Sequence, residues 1–512
     1  MAPTPIADPE YVSHSRALFA KLGLADGLAN EDAFRRIFSG DLSGAPEPFG
    51  PTGWATGYAL SIYGTEYTQQ CPFLTGNGYG DGRAISVCEV VHEGKRWELQ
   101  LKGGGPTPYC RGGDGRAVLR SSVREFLAQE FMHALGVPTS RSLSLFASTG
   151  ETVMRPWYSE GSRSYQPDVM KEHRVAISTR VASSFLRVGQ LELFARRARR
   201  GAHPRALEEL RMIVACALTR EYPEVDADLP FGAQVVALAR GFRARLTGLV
   251  ADWIRVGYCQ GNFNSDNCAV GGFTLDYGPF GFCGAFDPWF QPWTGGGRHF
   301  SFLNQPAAAQ TNFDMLCSAL RPLLEDDAAR AEELEALRQG FQVEMERRLQ
   351  RMWADKLGLE RFDADLYVRL IALMQRSRPD YTPFFRALCD LPEDTAPLEA
   401  TFHVAASDEV RQDWQAWLTQ WHALTEDRNE RERDALSADM KRINPRYTWR
   451  EWLVSQAYEA AEEGDYAMVG ELQELFNDPY TEQPGALAEQ SDQKRPPQFE
   501  GLGGVSHYSC SS

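Results

Sequence analysis

Apolar and polar positions along the chain fall into two regimes, a period of two early and a period near 3.6 later. Residues 84–91 and 96–102 are β-prone runs separated by His92-Glu93-Gly94-Lys95, which predicts a hairpin. In the second run Trp97, Leu99 and Leu101 share one face. Glu98, Gln100 and Lys102 share the other, which places Lys102 at the strand's end on the non-core face. Residues 121–135 then read as a helix with Leu119, Val123, Phe126, Leu127 and Phe131 on one stripe and Glu125 off it. A short helix is expected around 15–24, and helical patterns dominate 178–276, 312–375, 409–441 and 450–475. A Gly/Pro/aromatic loop separates the first two of these up to Gln305.

The expected fold class is α+β. A β-rich N-lobe, a larger helical C-lobe and additional C-terminal helices make the outline of a bilobal nucleotide-binding enzyme, which the candidate site residues below align with a protein-kinase-like fold. The expected divisions are an N-terminal extension over 1–55 and an N-lobe over 56–177. A C-lobe over 178–425, C-terminal helices over 426–482 and a flexible tail over 483–512 complete them.

At 512 residues, with 43% hydrophobic and 24% charged residues, the chain can bury a sizeable core. A net charge of −16 repels phosphate backbones, so no nucleic-acid partner is expected. The basic run Arg196-Arg197-Ala198-Arg199-Arg200 reads as a solvated helix end. Without a long apolar run, no membrane partner is expected. Ten scattered cysteines lack any zinc-site spacing and read as reduced thiols, which together with a start lacking an apolar leader predicts a cytoplasmic location.

The chemistry concentrates in three places. Lys102 precedes Gly103-Gly104-Gly105-Pro106 and could reach a nucleotide phosphate, or could be an edge lysine that discourages aggregation. Two copies of Asp-Gly-Arg-Ala, at 81–84 and 114–117, offer glycine backbone and arginine forks to an anion. Glu125 reads as a solvated helix residue or as the partner that orients Lys102, as a helix glutamate does in kinases.

The third place is 264–278. Gly271-Gly272 between two β-prone runs predicts a two-residue hairpin turn in which Asn267 faces Asp276. Directly opposed residues lie about 5 Å apart at Cβ, so an amide oxygen and a carboxylate would meet at one point. Such oxygen ligands suit Mg²⁺ or Mn²⁺ when phosphates and water complete the shell. Asp266 beside them is placed to accept a hydroxyl proton, as in the kinase catalytic loop.

In the stretches LQLKGGGPTPYCRGGDGRAVLRSSVREFL (99–127), RVASSFLRVGQLELF (180–194) and NSDNCAVGGFTLDYGPFGF (264–282), the chain resembles the selenoprotein O family of kinase-like protein adenylyltransferases. The resemblance implies that ATP binds flipped relative to ordinary kinases, so that AMP is transferred and pyrophosphate leaves. It implies a Lys102–Glu125 ion pair and nucleotide contacts at Gly80, Gly82, Arg83, Asp114 and Gly115. It also implies phosphate-region arginines at Arg180 and Arg187, Asp266 as proton acceptor, and Asn267 and Asp276 as metal ligands, with Asp276 also facing the nucleotide.

Two departures stand out. The stretch Tyr63-Gly-Thr-Glu-Tyr67 differs from the family's usual Gly-His-Gln-Phe, and Gln260 replaces a common histidine. Cys510 fits the family's selenocysteine or cysteine third from the C-terminus, which in the family can pair with a cysteine after the metal aspartate. Here 287–305 holds no cysteine and Cys283 is the nearest, so a redox partner acting on Cys510 and an inert terminal thiol stand side by side. The expected activity is metal-dependent AMP transfer to Ser, Thr or Tyr hydroxyls of proteins, with self-modification as a further outcome. The alternatives are a γ-phosphate kinase and an inactive nucleotide-binding scaffold.

Overall fold

The computed structural model describes residues 1–47, 49–68, 78–425 and 430–508. Its architecture is mixed α+β, consistent with a bilobal kinase-like arrangement. Strands β1 (Pro9–His14), β4 (Ala84–His92), β5 (Lys95–Lys102), β7 (Arg141–Trp157) and β8 (Val169–Ala182) form an antiparallel sheet in the order β1-β7-β8-β5-β4. The short strand β6 (Ala117–Val118) pairs with β8. A separate two-stranded hairpin joins β2 (Ser61–Ile62) to β3 (Thr65–Glu66).

The predicted β4–β5 hairpin is present, with Ala84 opposite Lys102 and a register shift between Ser86 and Cys88. Its two faces depart from simple alternation. Leu99 and Leu101 face an apolar cluster with Ile85, Val87 and Ile177, as the period of two requires. The opposite face is buried as well, because Glu98, Gln100 and Lys102 point into a covered polar layer. Polar side chains can occupy such a layer only when they pair with one another, and these do.

Residues 1–55 are integral to that sheet. Strand β1 pairs with β7, and Phe19, Phe34, Ile37 and Phe38 pack on the Ile85/Leu101 cluster. Helix α3 (Leu119–Ala134) lies across β7 and β8. It is buried on nearly all sides because the helices Glu451–Glu462 and Ala467–Asn477 cover its other face. Arg124 of α3 donates to Glu451 at 2.8 Å, a buried ion pair joining the two regions.

After β8 the chain becomes helical through α4 (Val188–Arg199), α5 (Ala206–Glu221), α6 (Phe231–Val256) and α7 (Gln305–Leu320), with further helices to Ala486–Ser491. The basic run at the end of α4 is more than a solvated end. Arg196 is buried against Glu192, and Arg199 pairs with Glu66 of β3 at 3.1 Å. The stretch expected as a tail packs through residue 508, where Tyr508 is buried and bridges Trp293. Cys510 lies outside the described residues. Among those described, no helix is long and apolar enough to cross a membrane.

Candidate active site

A cavity of about 930 Å³ lies between the sheet and the helical region. Lys102 enters from the end of β5, Arg180 from β8, and Arg187 from the N-cap of α4. Gly80, Gly82, Arg83, Asp114 and Gly115 line it from one side, and Asp266, Asn267 and Asp276 from the other.

Lys102 Nζ donates to Asp276 Oδ1 at 2.7 Å and also pairs closely with Glu125 Oε2. Glu125 is not a solvated helix residue. It is buried beneath the sheet, where Lys102 of β5 and Arg180 of β8 reach it. Arg180 completes the cluster, with Nη1 3.0 Å from Asp276 Oδ1 and 3.4 Å from Glu125 Oε1, and Nη2 donating to Gln100. Two cations and two carboxylates balance formally, which is what makes their burial tolerable. Burial alone would raise the Asp276 carboxyl, but the Lys102 and Arg180 charges beside it hold it well below the usual range.

The 264–278 segment brings its polar residues to this cavity by a route the sequence pattern did not indicate. The expected ladder of Asn267 opposite Asp276 does not form. Asn267 sits in a single 3-10 turn (Ser265–Asn267), and the pairing observed is Cys268 with Thr274, one residue out of the expected register. The reason is competition for the backbone. Ala269 bridges Arg187, Thr274 bridges Thr139, and Val270 N–H donates to Leu186 O at 2.9 Å, so neighbouring segments take those groups. Gly272, at φ 72, donates to Ala269 O and closes the turn instead. Asn267 Nδ2 donates to Asn262 O at 3.1 Å.

Asp266 follows Ser265 in the same 3-10 turn, and its backbone carbonyl accepts from Arg187 Nη1 at 2.6 Å. Its Oδ1 is inaccessible and has no hydrogen-bond partner. Burial pushes the carboxyl up to about 6, with Arg187 drawing it partly back. A raised carboxyl that lines the cavity has the chemistry a general base needs.

The glycines have tighter duties than backbone approach to an anion. A Cβ on Gly80 would collide with the Tyr109 ring and Thr56 O, and one on Gly115, at φ 70, would collide with the Gly105 backbone. Asp114 is held by Arg155 at 2.6 Å and accepts from Arg116 N at 2.9 Å, so its carboxylate shapes the loop at the cavity rim.

Several lining residues escaped the sequence reading. Asp81 is buried, accepts from Thr56 Oγ1 at 2.7 Å, and pairs with Arg187 at 3.0 Å. Gln100 anchors Arg180, and Asn262, Asn264, Tyr58 and Trp293 line the cavity. Asp81 opens the first Asp-Gly-Arg-Ala copy, a signal that could have found it. Gln260, one of the two departures, donates to the Asp276 backbone carbonyl at 3.2 Å and so supports the metal-ligand candidate.

Among the described residues no group of three or more His, Cys, Asp or Glu side chains is placed to hold a metal. Asn267 and Asp276 both line the cavity, an amide and a carboxylate of the kind that can share a cation with a nucleotide's phosphates.

The family model for protein adenylyltransferase SelO matches residues 2–477. The chain belongs to that family. It is 38% identical to a protein nucleotidyltransferase YdiU of Azoarcus sp. (strain BH72) over 529 aligned residues, covering 100% of this chain and 93% of the relative. It is 37% identical to the YdiU protein of Aromatoleum aromaticum and 38% identical to that of Xanthomonas oryzae pv. oryzae, with the same coverage in both. A SelO-family chain is a nucleotidyltransferase, and the γ-phosphate kinase alternative is not favoured. ATP follows as the co-substrate of such an enzyme.

Proposed function

We propose that this SelO-family enzyme transfers AMP from ATP to Ser, Thr or Tyr hydroxyls of proteins, itself included, in the cytoplasm. The observation that carries the site assignment is the 2.7 Å contact between Lys102 Nζ and Asp276 Oδ1, which joins the phosphate-gripping strand to the metal-ligand candidate. Asn267 and Asp276 would hold Mg²⁺ or Mn²⁺, which neutralises phosphate charge when bound. Lys102, oriented by Glu125, with Arg180 and Arg187 grips the phosphates. Gly80, Gly82, Arg83, Asp114 and Gly115 form the nucleotide wall.

In the reaction, the acceptor oxygen attacks the α-phosphorus while its proton passes to the Asp266 carboxylate. The bond to the bridging oxygen breaks and pyrophosphate leaves with that electron pair. The cations lining the cavity stabilise charge that builds on the phosphates in this step. The nearest cysteine to the loop 287–305, Cys283, is buried, and burial pushes its thiol up to about 12. That argues for a partner of Cys510 elsewhere, on this chain or on a redox protein.

The test is incubation with ATP labelled at the α- or the γ-phosphate. Label from the α-position in protein is the expected result, and incorporation of γ-label alone would overturn the reading.

A further inference from the structure

The departure at residues 63–67 sits beside the catalytic loop. The β2–β3 hairpin is tied down at three points. Ser61 hydrogen-bonds the buried Glu192, which also accepts from Ser265 Oγ at 3.0 Å, one residue before Asp266. Tyr63 N donates to Asn264 Oδ1 at 3.3 Å, and Glu66 pairs with Arg196 and Arg199 at 3.2 and 3.1 Å. Ile62 lines the catalytic cavity itself. The hairpin is therefore a fixed rim on the Asp266 side of that cavity.

At its tip Tyr63 has φ 50, a left-handed backbone that an aromatic residue seldom adopts. Strain of this kind persists where surrounding contacts over-determine it, and it gathers at functional sites. The ring that this backbone displays is 47% exposed. It packs against His299, tilted at 55° with centroids 4.4 Å apart. The preceding residue, Arg298, places its guanidinium 5.1 Å from the centre of the Trp289 ring, and Trp289 is 52% exposed. Through Arg298 and His299, adjacent in one 3-10 turn, these two contacts make a shelf on which Tyr63 and Trp289 are both exposed. Aromatic and arginine side chains of this type are those that dominate protein–protein recognition.

Building on the adenylyl-transfer reading, we infer that this shelf docks the acceptor protein, through an extended segment carrying a large apolar or aromatic side chain within three residues of the acceptor hydroxyl. The occupant follows from position. A hydroxyl must reach Asp266 from outside, and the rim over which its chain passes is Ile62 and Tyr63. Residues flanking the acceptor in an extended chain advance about 3.3 Å each, with side chains alternating in direction. A neighbour of the acceptor therefore falls on the Tyr63–His299 surface rather than inside the cavity.

The experiment presents the full-length protein, with Mg²⁺ and α-labelled ATP, to a randomised peptide library with one central Ser, Thr or Tyr. Labelled peptides should be enriched at least fivefold in Phe, Trp, Leu or Met within three positions of the acceptor. Tyr63→Gly, which suits the left-handed backbone and so preserves the hairpin, and Trp289→Ala should flatten that enrichment. Both should raise KM for a selected peptide about fivefold while KM for ATP stays the same. Labelling without apolar selection, selection that survives both variants, or an equal rise in KM for ATP would each overturn the inference. Wild-type protein that labels no peptide and no protein would overturn the transfer reading beneath it, a result distinct from label without selection.

Discussion

Ser265 Oγ donates to Glu192 Oε2 at 3.0 Å, tying the residue before Asp266 to helix α4. Glu192 in turn holds Arg196, whose Nη2 donates to Leu60 O at 3.1 Å. One buried carboxylate therefore braces both the turn that carries the proposed base and the wall of the cavity.

Ser265→Ala should lower kcat for AMP transfer roughly fivefold, since a net hydrogen bond is worth about 1 kcal/mol. Nucleotide affinity should stay the same, because Ser265 touches the base turn and not the phosphate wall. Steady-state transfer beside fluorescent-nucleotide binding reads both. Glu192→Ala should do more harm, by leaving Arg196 buried with only the partly exposed Glu66 as a carboxylate partner, at a loss of about 1–3 kcal/mol visible in thermal melts.

Asp276→Asn removes the negative charge that Lys102 and Arg180 share. Transfer of α-label should fall at least 100-fold, in the range seen when a main electrostatic stabiliser is lost. Chelation of divalent ions should reduce the wild type equally, and added Mg²⁺ should restore the wild type but not the variant. Restoration of both would place the metal on other ligands.

The two aspartates give opposite pH behaviour. Asp266, raised from its ordinary 3.8 to about 6, must be deprotonated to accept a proton, so kcat should climb with pH through about 6 and level off above it. Its linkage term favours the folded state below pH 3.8 and is lost as pH rises through about 6. Asp266→Asn should therefore melt later than wild type above pH 6, by on the order of 2–3 kcal/mol, and no later below pH 4. Asp276, held low, stabilises the fold above its ordinary pKa, and that term fades as pH falls below it. A kcat independent of pH between 5 and 8 would remove Asp266 from the role of base.

Asp81→Asn should act through Arg187, whose Nη2 it holds at 3.0 Å. The guanidinium keeps its bond to Asp266 O but loses its carboxylate partner. KM for ATP is expected to rise roughly tenfold, about the worth of a charge-assisted hydrogen bond, with kcat changed less. An unchanged KM would mean that Arg187 is positioned by Asp266 O and the Tyr58 ring alone.

The β4–β5 hairpin, helix α3 and the helical character after β8 were legible because each rests on local periodicity. The Lys102–Glu125 pair was legible only by analogy. Periodicity placed Glu125 in water, since no pattern within α3 reveals that β7, β8 and two distant helices cover the helix on nearly all sides. The turn at 264–278 misled for a related reason. Its glycine pair and β-prone flanks favour a two-residue hairpin locally, yet Leu186, Arg187 and Thr139 compete for the same backbone groups.

By itself the sequence determined which segments alternate, which coil, and which residue types were available to grip phosphate and metal, because those properties depend on near neighbours. Tertiary structure alone decided that Lys102, Glu125, Arg180 and Asp276 meet. It also decided that Asp81 holds Arg187, and that a glutamate on α4 braces the base turn. Those contacts join residues far apart in the chain, and a buried charge is stable only where the fold supplies its partner.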